Sequence, residues 1–331
     1  LRYEMVLEGY GPDRILFDDN DIITCVSSGK LARINGLGRV EQVCELGEYV
    51  LHHDIGFGQE GEILALAEID GAENVEDQLL SIDMETGEVV HLIDFTEAMS
   101  GYFDMTRPIK ATDPFFWQAG EWDWIHLNSL QYLEEEDSLI VSSRETSTII
   151  KLEQIHGEPE LAWLAGDERF WEDTPYAEYC LEQEEDFVPQ YGQHCVEYLR
   201  AGEEDGVYYL SMFDNNYWCL NSRDDFEMEV SDAVGTDLYG LGSEVSHVYV
   251  YKIDENAGTF ALESSFDVPY SSIVSNGSLC GAEGNWIVNS GVAKVFGEYD
   301  AEGKLIREFA YECDMQNYRT FKYDYTGFWF E

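Results

Sequence analysis

The sequence predicts an all-β fold, a six-bladed β-propeller of four-stranded antiparallel blades. Three observations predict this fold. Apolar strand-like segments recur along the 331 residues, short turns rich in acidic residues and glycine join them, and they occur in groups of four strands. Helical periodicity is nearly absent outside one segment. Four-stranded units in tandem are typical of β-propellers, which have roughly four to eight blades.

The predicted blades follow one pattern, in which two strands precede a β-hairpin. In the third unit "HLNSLQYL" and "LIVSSR" flank an acidic turn, and "IIKLEQIHGEPELAWL" follows as the hairpin. The five clear units span 14–46, 53–95, 126–164, 194–266 and 276–311. We predict that residues 2–9 and 318–330 together form a sixth blade that closes the ring from both ends of a single domain, 1–331. The remaining segment, 167–190, is predicted to be an insertion with a short helix near the site described below.

The composition restricts the possible partners. The chain has 18 Lys and Arg against 68 Asp and Glu, so its formal net charge is 18 − 68 = −50. Nucleic acids and anionic membrane surfaces are therefore excluded as partners, because like charges repel at long range. Most of this charge is interpreted as a solvated surface suited to salt. No apolar run reaches the roughly 18 residues of a membrane helix, so no membrane insertion is predicted.

The seven cysteines show neither a C-x-x-C motif nor the spacing of a metal site. Because their number is odd, at least one stays unpaired within the chain. Cys180 and Cys195 flank the end of the insertion, and we predict that they form a disulfide.

Four of the seven histidines lie at the start of strand-like segments: His52, His53, His126 and His194. In a propeller the first strand of each blade lines the channel, so His53, His126 and His194 should meet at its mouth. A single histidine at such a position is usually structural, whereas three in consecutive blades, separated by 73 and 68 residues, predict a functional cluster. The second strands end on the same face with Glu68, Arg144, Asp214 and Asn289.

This cluster favours an anionic ligand. Three imidazoles suit zinc, copper or iron, but Arg144 disfavours a cation and offers a planar fork to an oxyanion. We therefore predict a sulfate or phosphate ester as ligand, with no metal and no cofactor, and a histidine as a possible nucleophile. Two alternatives stay open. One is a non-catalytic propeller that binds a ligand or partner, and the other is a metal-dependent lyase or hydrolase.

Several motifs resemble those of the bacterial arylsulfate sulfotransferase family. They include "DWIHLNSLQYLEEEDSLIVSSR" from residue 123, the upstream "LHHDIGF", the later "YGQHCVEYL" and the ending "YRTFKYDYTGFWFE". The resemblance covers about residues 45–331. It implies a six-bladed propeller that transfers a sulfuryl group from an aryl sulfate ester to a phenol, without a nucleotide donor. It also implies a ping-pong mechanism through a sulfohistidine.

The resemblance also implies residue roles. His194 of the G-Q-H motif would be the nucleophile, while His126 and His53 would bind sulfate oxygens and handle the phenol proton. Asn128 and Arg144 would complete the oxyanion cradle. His53 is preferred to His52 for this role because neighbours on a strand face opposite sides. The remaining substrate-binding candidates are His52, Asn128, Trp124 and Tyr191. Further aromatic residues that could stack on the aryl ring are Phe116, Trp117 and Trp122.

Other implications concern the context of the chain. The resemblance implies a periplasmic or exported protein with small-molecule substrates, and a homodimer is possible. The N-terminal β domain of the family is not recognised in this sequence. Ser246 and His247 stand where a Tyr-Ser-Arg run is expected, which implies either an altered choice of acceptor or a reduced activity.

Overall fold

The computed structural model describes residues 14–19, 21–59, 61–239, 244–281 and 284–323. Within these residues the chain forms five sheets, each built around four consecutive antiparallel strands. Their innermost strands lie side by side from the second sheet to the fifth. This is the blade arrangement of a β-propeller.

The sheets follow the chain in order. The first contains β1 Ile15–Asp18, β2 Asp21–Ser27, β3 Lys30–Asn35 and β4 Val40–Glu45. The second contains β5 Tyr49–Phe57, β6 Glu62–Ile69, β7 Gln78–Asp83 and β8 Val89–Asp94. The third contains β9 Leu127–Leu133, β10 Ser138–Ser143, β11 Thr148–Glu153 and β12 Glu160–Ala165.

In the fourth sheet a short strand, β13 Glu182–Gln183, pairs in parallel with the outermost strand. The other members are β14 His194–Ala201, β15 Val207–Asp214, β16 Val245–Asp254 and β17 Thr259–Pro269. The fifth sheet contains β18 Asn276–Cys280, β19 Asn285–Ser290, β20 Val295–Tyr299 and β21 Leu305–Ala310. The helices are short: α1 Phe95–Ala98, α2 Ser100–Phe103, and 3₁₀ turns Phe116–Gln118, Glu134–Glu136, Glu168–Phe170 and Ala177–Tyr179.

The blade count corrects the sequence prediction, because the described residues form five blades and not six. Of the segments assigned to a sixth blade, residues 2–9 and 324–330 lie outside the described residues. Residues 318–323 form no strand. They instead bond to the fifth blade partly through side chains, since the backbone N–H of Thr320 donates to the Asn276 side chain (2.8 Å).

The hydrophobic core lies between neighbouring blades, and β10 shows why. All six residues of this strand are buried, because both of its faces meet another blade. Leu139 and Val141 join the cluster shared with the second blade, while Ile140 joins the cluster shared with the fourth. Alternation of side chains along the strand supplies both contacts, which explains why the apolar residues Leu139, Ile140 and Val141 are consecutive.

The insertion and the cysteines also differ from expectation. The segment 167–190 holds two 3₁₀ turns and β13, and buried Phe170 and Trp171 anchor it to the core. The predicted Cys180–Cys195 disulfide is not formed, because all seven cysteines are free. Cys180 lies beside Leu164 at the outer edge of the third blade, whereas Cys195 is buried in the innermost strand of the fourth.

No helix among the described residues is both long and apolar enough to cross a membrane.

Candidate active site

The predicted histidines lie at irregular positions of three innermost strands: His53 at a register shift within β5, His126 directly before β9, and His194 as the first residue of β14. His53 and His126 adopt left-handed backbone conformations, with φ of +51° and +49°. Such φ values are uncommon outside glycine. The strand pairing shifts register beside both residues, as β-bulges do where a side chain is re-aimed. In the fourth blade the left-handed residue is Cys195, with φ +54°, directly after His194.

These three irregular positions bring the imidazole rings close to one another. The ring centroids of His53 and His126 are 4.8 Å apart. Tyr318 lies edge-on to the rings of both His53, at 5.6 Å, and His194, at 6.2 Å. His52 joins the cluster through its Nδ1, which is 2.9 Å from Nδ1 of His53. The convergence expected from the spacing of the histidines is therefore present in the structure.

His194 is held as a neutral imidazole with one defined tautomer. Its Nδ1 lies 2.8 Å from Oδ1 of Asn215 and 2.9 Å from the carbonyl oxygen of Gly192. Both partners are acceptors, so Nδ1 carries the hydrogen and Nε2 carries the lone pair. Burial lowers the pKa of His194 to about 3, and the positive charges of His126 and Arg144 contribute. The ring therefore offers a nucleophilic nitrogen at neutral pH.

His126 has the opposite protonation state. Its Nδ1 lies 2.7 Å from Oδ2 of Asp123 and 2.6 Å from Oε2 of Glu76. Burial and Arg144 lower the pKa of His126, but the two carboxylates outweigh them and raise it to about 9. His126 is therefore an imidazolium at neutral pH, and it can give a proton to a leaving group.

His53 and His52 remain neutral. Burial lowers the pKa of His53 well below its usual value, and the positive charge of His126 adds to this effect. Burial also lowers the pKa of His52. The cluster thus combines one cationic ring with neutral rings that accept or donate according to tautomer.

Arg144 lies at the end of β10 with its guanidinium fixed from two sides. One terminal nitrogen donates to Asp123 (3.1 Å) and approaches Glu145 (3.4 Å). The guanidinium also stacks over the ring of Phe115 at 4.4 Å. Glu145 in turn accepts the backbone N–H of Ser222 at 2.8 Å. The arginine is therefore preorganised beside the histidines.

The other predicted substrate-binding residues have their own partners. The side-chain amide of Asn128 donates to the carbonyl oxygen of Gln193 (2.8 Å), directly before His194. Trp124 is fully buried in the core, and its indole N–H donates to Asp77 (2.9 Å). The hydroxyl of Tyr191 donates to Asp167 of the insertion (2.7 Å). A substrate contact for these residues stays a prediction.

Two aromatic residues of the loop before the third blade are open to solvent. Phe116 and Trp117 are 59% and 51% exposed. Trp117 contacts Phe115, with the ring centroids 5.0 Å apart, and Phe115 contacts Arg144. An aromatic path therefore leads from the arginine to the surface.

Ser246 and His247, which depart from the expected motif, support neighbouring residues. The Ser246 hydroxyl donates to the carbonyl oxygen of Asn215 (3.0 Å). Nδ1 of His247 lies 2.8 Å from Asp214, which precedes Asn215. Both residues therefore help to hold the acceptor that orients His194.

Sequence reasoning missed four residues of the cluster: Glu76, Asp123, Asn215 and Arg319. Asp123 had a signal, because it stands three residues before His126 in the quoted motif. The others follow turns or strand ends far from any histidine, and their proximity comes from the fold alone.

Two overlapping sets of donor atoms lie close enough to share a cation. They are His52, His53 and Glu76, and Glu76, Asp123 and His126, with all ligand atoms of a set within 4.8 Å of one another. Imidazole and carboxylate donors suit divalent transition metals. Binding one would replace the hydrogen bond between His126 and Asp123.

Comparisons with known proteins were made for the whole chain. The family model described as Arylsulfotransferase (ASST) matches residues 1–325. No curated protein matches.

Solved structures with similar folds have low identity. A putative 6-phosphogluconolactonase from Bacteroides fragilis is 13% identical, with 92% of this chain and 71% of that chain covered and a TM-score of 0.45. Regucalcin, a calcium-binding protein from Agrobacterium tumefaciens, is 12% identical, with 94% and 76% covered and a TM-score of 0.43. These likenesses carry no argument about function.

Proposed function

The chain belongs to the arylsulfotransferase family, and from this premise we propose that it transfers a sulfuryl group from an aryl sulfate ester to a phenol through a sulfohistidine at His194. The observation that carries this proposal is the environment of His194. Its Nδ1–H is held by Asn215 and by the Gly192 carbonyl, and burial keeps the ring neutral. A buried neutral imidazole with a free Nε2 lone pair is a nucleophile ready to attack.

In the first half-reaction Nε2 of His194 attacks the sulfur of the donor. An N–S bond forms, the bond between sulfur and the aryl oxygen breaks, and the phenolate leaves. His126 supplies the proton to that oxygen, since its pKa near 9 keeps it protonated at neutral pH. General acid catalysis of this kind contributes roughly 10²–10⁴-fold.

In the second half-reaction the acceptor phenol gives its proton to His126, which has become neutral. The acceptor oxygen attacks sulfur, the N–S bond breaks, and His194 returns to its neutral form. Protons and charges balance over the two steps, because His126 loses one proton and regains one. No nucleotide and no metal takes part in this scheme.

Fixed positive charges stabilise the transferring group. Its negative charge is spread over three oxygens, so preorganised donors and cations should carry most of the catalysis, as in phosphoryl transfer. Arg144 and His126 are close enough to His194 for their charges to lower its pKa. The same charges would stabilise an anionic group bound to Nε2. His53, on the other side of Tyr318, is the third group assigned to the sulfate oxygens.

The test uses 4-nitrophenyl sulfate with and without phenol. We expect nitrophenolate release that phenol accelerates, and intact-mass spectrometry should show one added sulfuryl group before phenol is supplied. His194→Ala should lose both signals. His91→Gln, on the exposed edge strand β8, is the matched control and should keep them. A wild-type protein without release at any pH from about 5 to 9, or a His194→Ala variant that still gains mass, would overturn the proposal.

A metal-dependent hydrolase on the same face is the second candidate function. The donor sets around Glu76 favour it, because they offer nitrogen and oxygen ligands within reach of one another. It predicts stoichiometric transition metal in the purified protein and loss of activity with a chelator. Sulfuryl transfer that persists in a chelator, with less than stoichiometric metal, would exclude it.

A further inference from the structure

The segment 317–323 lies against the innermost strand of the fifth blade without forming a strand itself. The backbone N–H of Ser275 donates to the Tyr318 carbonyl (2.8 Å). The Asn276 side chain donates to the Thr320 carbonyl (2.9 Å) and accepts the Thr320 N–H (2.8 Å). These bonds fix the segment beside the histidine cluster, with the Arg319 side chain directed toward the second and third blades.

Arg319 is the residue of this segment that reaches those blades. Its side chain is completely buried. Nη1 donates to Oδ1 of Asp54 at 2.9 Å, and Nη2 donates to the carbonyl oxygen of Asn128 at 2.6 Å. Asp54 directly follows His53, and Asn128 lies two residues after His126. One guanidinium therefore ties together the two strands that carry these histidines.

Asp54 extends the connection. Its Oδ2 accepts the backbone N–H of Leu130 in β9 at 3.1 Å, so the carboxylate is bound to the third blade directly as well as through Arg319. Arg14 approaches the same oxygen at 3.5 Å. A buried arginine that binds two acceptors restrains their relative positions as well as supplying charge, because its planar guanidinium allows few orientations.

The segment also contacts the nucleophile. Tyr318 lies edge-on to both His53 and His194, at 5.6 Å and 6.2 Å. The buried charge of Arg319 is one of the positive charges that lower the pKa of His194. The segment is thus connected to all three histidines. Arg319 binds the strands of His53 and His126, and Tyr318 lies against the ring of His194.

We propose that Arg319 is a positioning residue of the sulfuryl-transfer site, which sets the spacing between the strands of His53 and His126 and adds a fixed positive charge beside His194. This inference rests on the proposed function. It assigns a role in catalysis to the segment 317–323, which binds directly to two of the histidine motifs through Asp54 and Asn128. It also explains why a fully buried cation is kept in the channel, where desolvation alone would disfavour it.

Three variants separate the effect of the two-point contact from that of the positive charge. Arg319→Met removes the contact and the charge. We expect its rate of sulfohistidine formation to fall about 100-fold, the loss that misplacement by about 1 Å can cause. Arg319→Lys keeps the charge but loses the two-point contact, so its rate should fall while the low-pH limit of activity stays unchanged. Lys322→Met removes an exposed cation of the same segment, paired with Glu298 at 2.9 Å, and should match the wild type.

The low-pH limit is the measurement that a purely structural role would not change. Because Arg319 lowers the pKa of His194, removing its charge should raise that pKa and shift the limit to higher pH in Arg319→Met only. A folded Arg319→Met with the rate and pH limit of Lys322→Met would overturn the proposal. So would an Arg319→Lys variant with the wild-type rate, and this variant decides the case if Arg319→Met does not fold.

A readout independent of turnover separates this inference from the proposed function. The ring carbons of His194 can be followed by NMR from about pH 8 down to the lowest pH at which the protein stays folded, and the wild-type ring should stay neutral until the pH approaches about 3. In Arg319→Met protonation should begin at a higher pH than in the wild type. Absence of turnover in the wild type would refute the proposed function, whereas an unchanged titration in the variant would refute the role of Arg319.

Discussion

His126 and His194 belong to the same cluster, but their partners shift their pKa values in opposite directions. His194 faces neutral acceptors, an asparagine oxygen and a backbone carbonyl, so burial dominates and the pKa falls to about 3. His126 faces the carboxylates of Asp123 and Glu76, which raise its pKa to about 9. In the proposed mechanism this difference is the reason for placing the nucleophile and the acid on different rings, since a protonated ring has no lone pair for attack.

The first prediction concerns the pH dependence of the donor half-reaction. Attack needs neutral His194, so activity should be lost as pH falls through about 3. Proton donation needs charged His126, so activity should also be lost as pH rises through about 9. The rate of nitrophenolate release against pH measures both limits, provided that the protein stays folded at the acidic end.

Asp123→Asn is the matching variant for the alkaline limit. The carboxylate of Asp123 raises the pKa of His126, so its removal should move the alkaline limit to lower pH and leave the acidic limit in place. An alkaline limit that is the same in the wild type and in Asp123→Asn would show that His126 is not the acid.

The sequence allowed the three histidines and Arg144 to be predicted, because blade repetition converts spacing along the chain into position on one face. It did not allow their partners to be predicted. Glu76 lies in the connection between β6 and β7 of the second blade, and Arg319 follows β21, the last strand of the fifth blade. A residue that enters a site through a loop or an irregular segment leaves no periodic signal, so only the fold brings it to the histidines.

At the level of elements, two connections meet over Arg144. The loop before the third blade places Phe115 on the guanidinium. The segment after β15 places Ser222 on Glu145, and the Phe115 N–H donates to the Asn221 side chain (3.1 Å). The two loops are therefore joined to each other and to β10 through buried polar contacts.

The second prediction is that Glu145→Ala loosens this junction. The variant leaves the N–H groups of Asn221 and Ser222 without their acceptor and takes one of two carboxylates from Arg144. Removing one partner of a buried ion pair typically costs about 3 to 5 kcal/mol, so the free energy of unfolding should fall by about that amount. Hydrogen exchange at Asn221 and Ser222 should become faster, as measured by NMR or mass spectrometry.

Glu160→Ala provides the control at the exposed start of β12, and its effect should stay within about 0.5 kcal/mol. Equal exchange rates in Glu145→Ala and the wild type would contradict the prediction, because the N–H groups of Asn221 and Ser222 would then be protected without Glu145.

The strands themselves were the most predictable elements. The predicted segment 139–144 matches β10 Ser138–Ser143 closely, because consecutive apolar residues between polar turns indicate a strand that is buried on both faces. The blade count was less predictable, since residues 318–323 have the apolar and aromatic composition of a strand but are held by side-chain bonds to Asn276. The insertion holds 3₁₀ turns because buried aromatic rings, and not helical periodicity, fix its course.

For the whole molecule, the balance of charge differs between surface and site. The formal net charge is −50, yet Arg144 and Arg319 are buried beside a protonated His126. The surface therefore repels anions at long range, whereas the cations of the cluster are each paired with a carboxylate and act on an anion only at short range. Salt affects these two interactions differently, because exposed charges are screened beyond the Debye length and buried charges much less.

The third prediction follows from this difference and concerns kcat/KM for the two substrates. An aryl sulfate is an anion, so its encounter with the protein should be slowed by the surface charge. Raising KCl from about 0.05 M to 1 M shortens the Debye length from more than 10 Å to about 3 Å, and kcat/KM for 4-nitrophenyl sulfate should therefore rise. A phenol is neutral below its pKa of about 10, so kcat/KM for the acceptor at pH 7 should hardly change. Steady-state kinetics in both substrates at several salt concentrations measures the two responses together.

An equal rise for donor and acceptor would instead show that salt acts on folding or on the site itself. A fall for the donor alone would show that steering by the buried cations outweighs repulsion by the acidic surface.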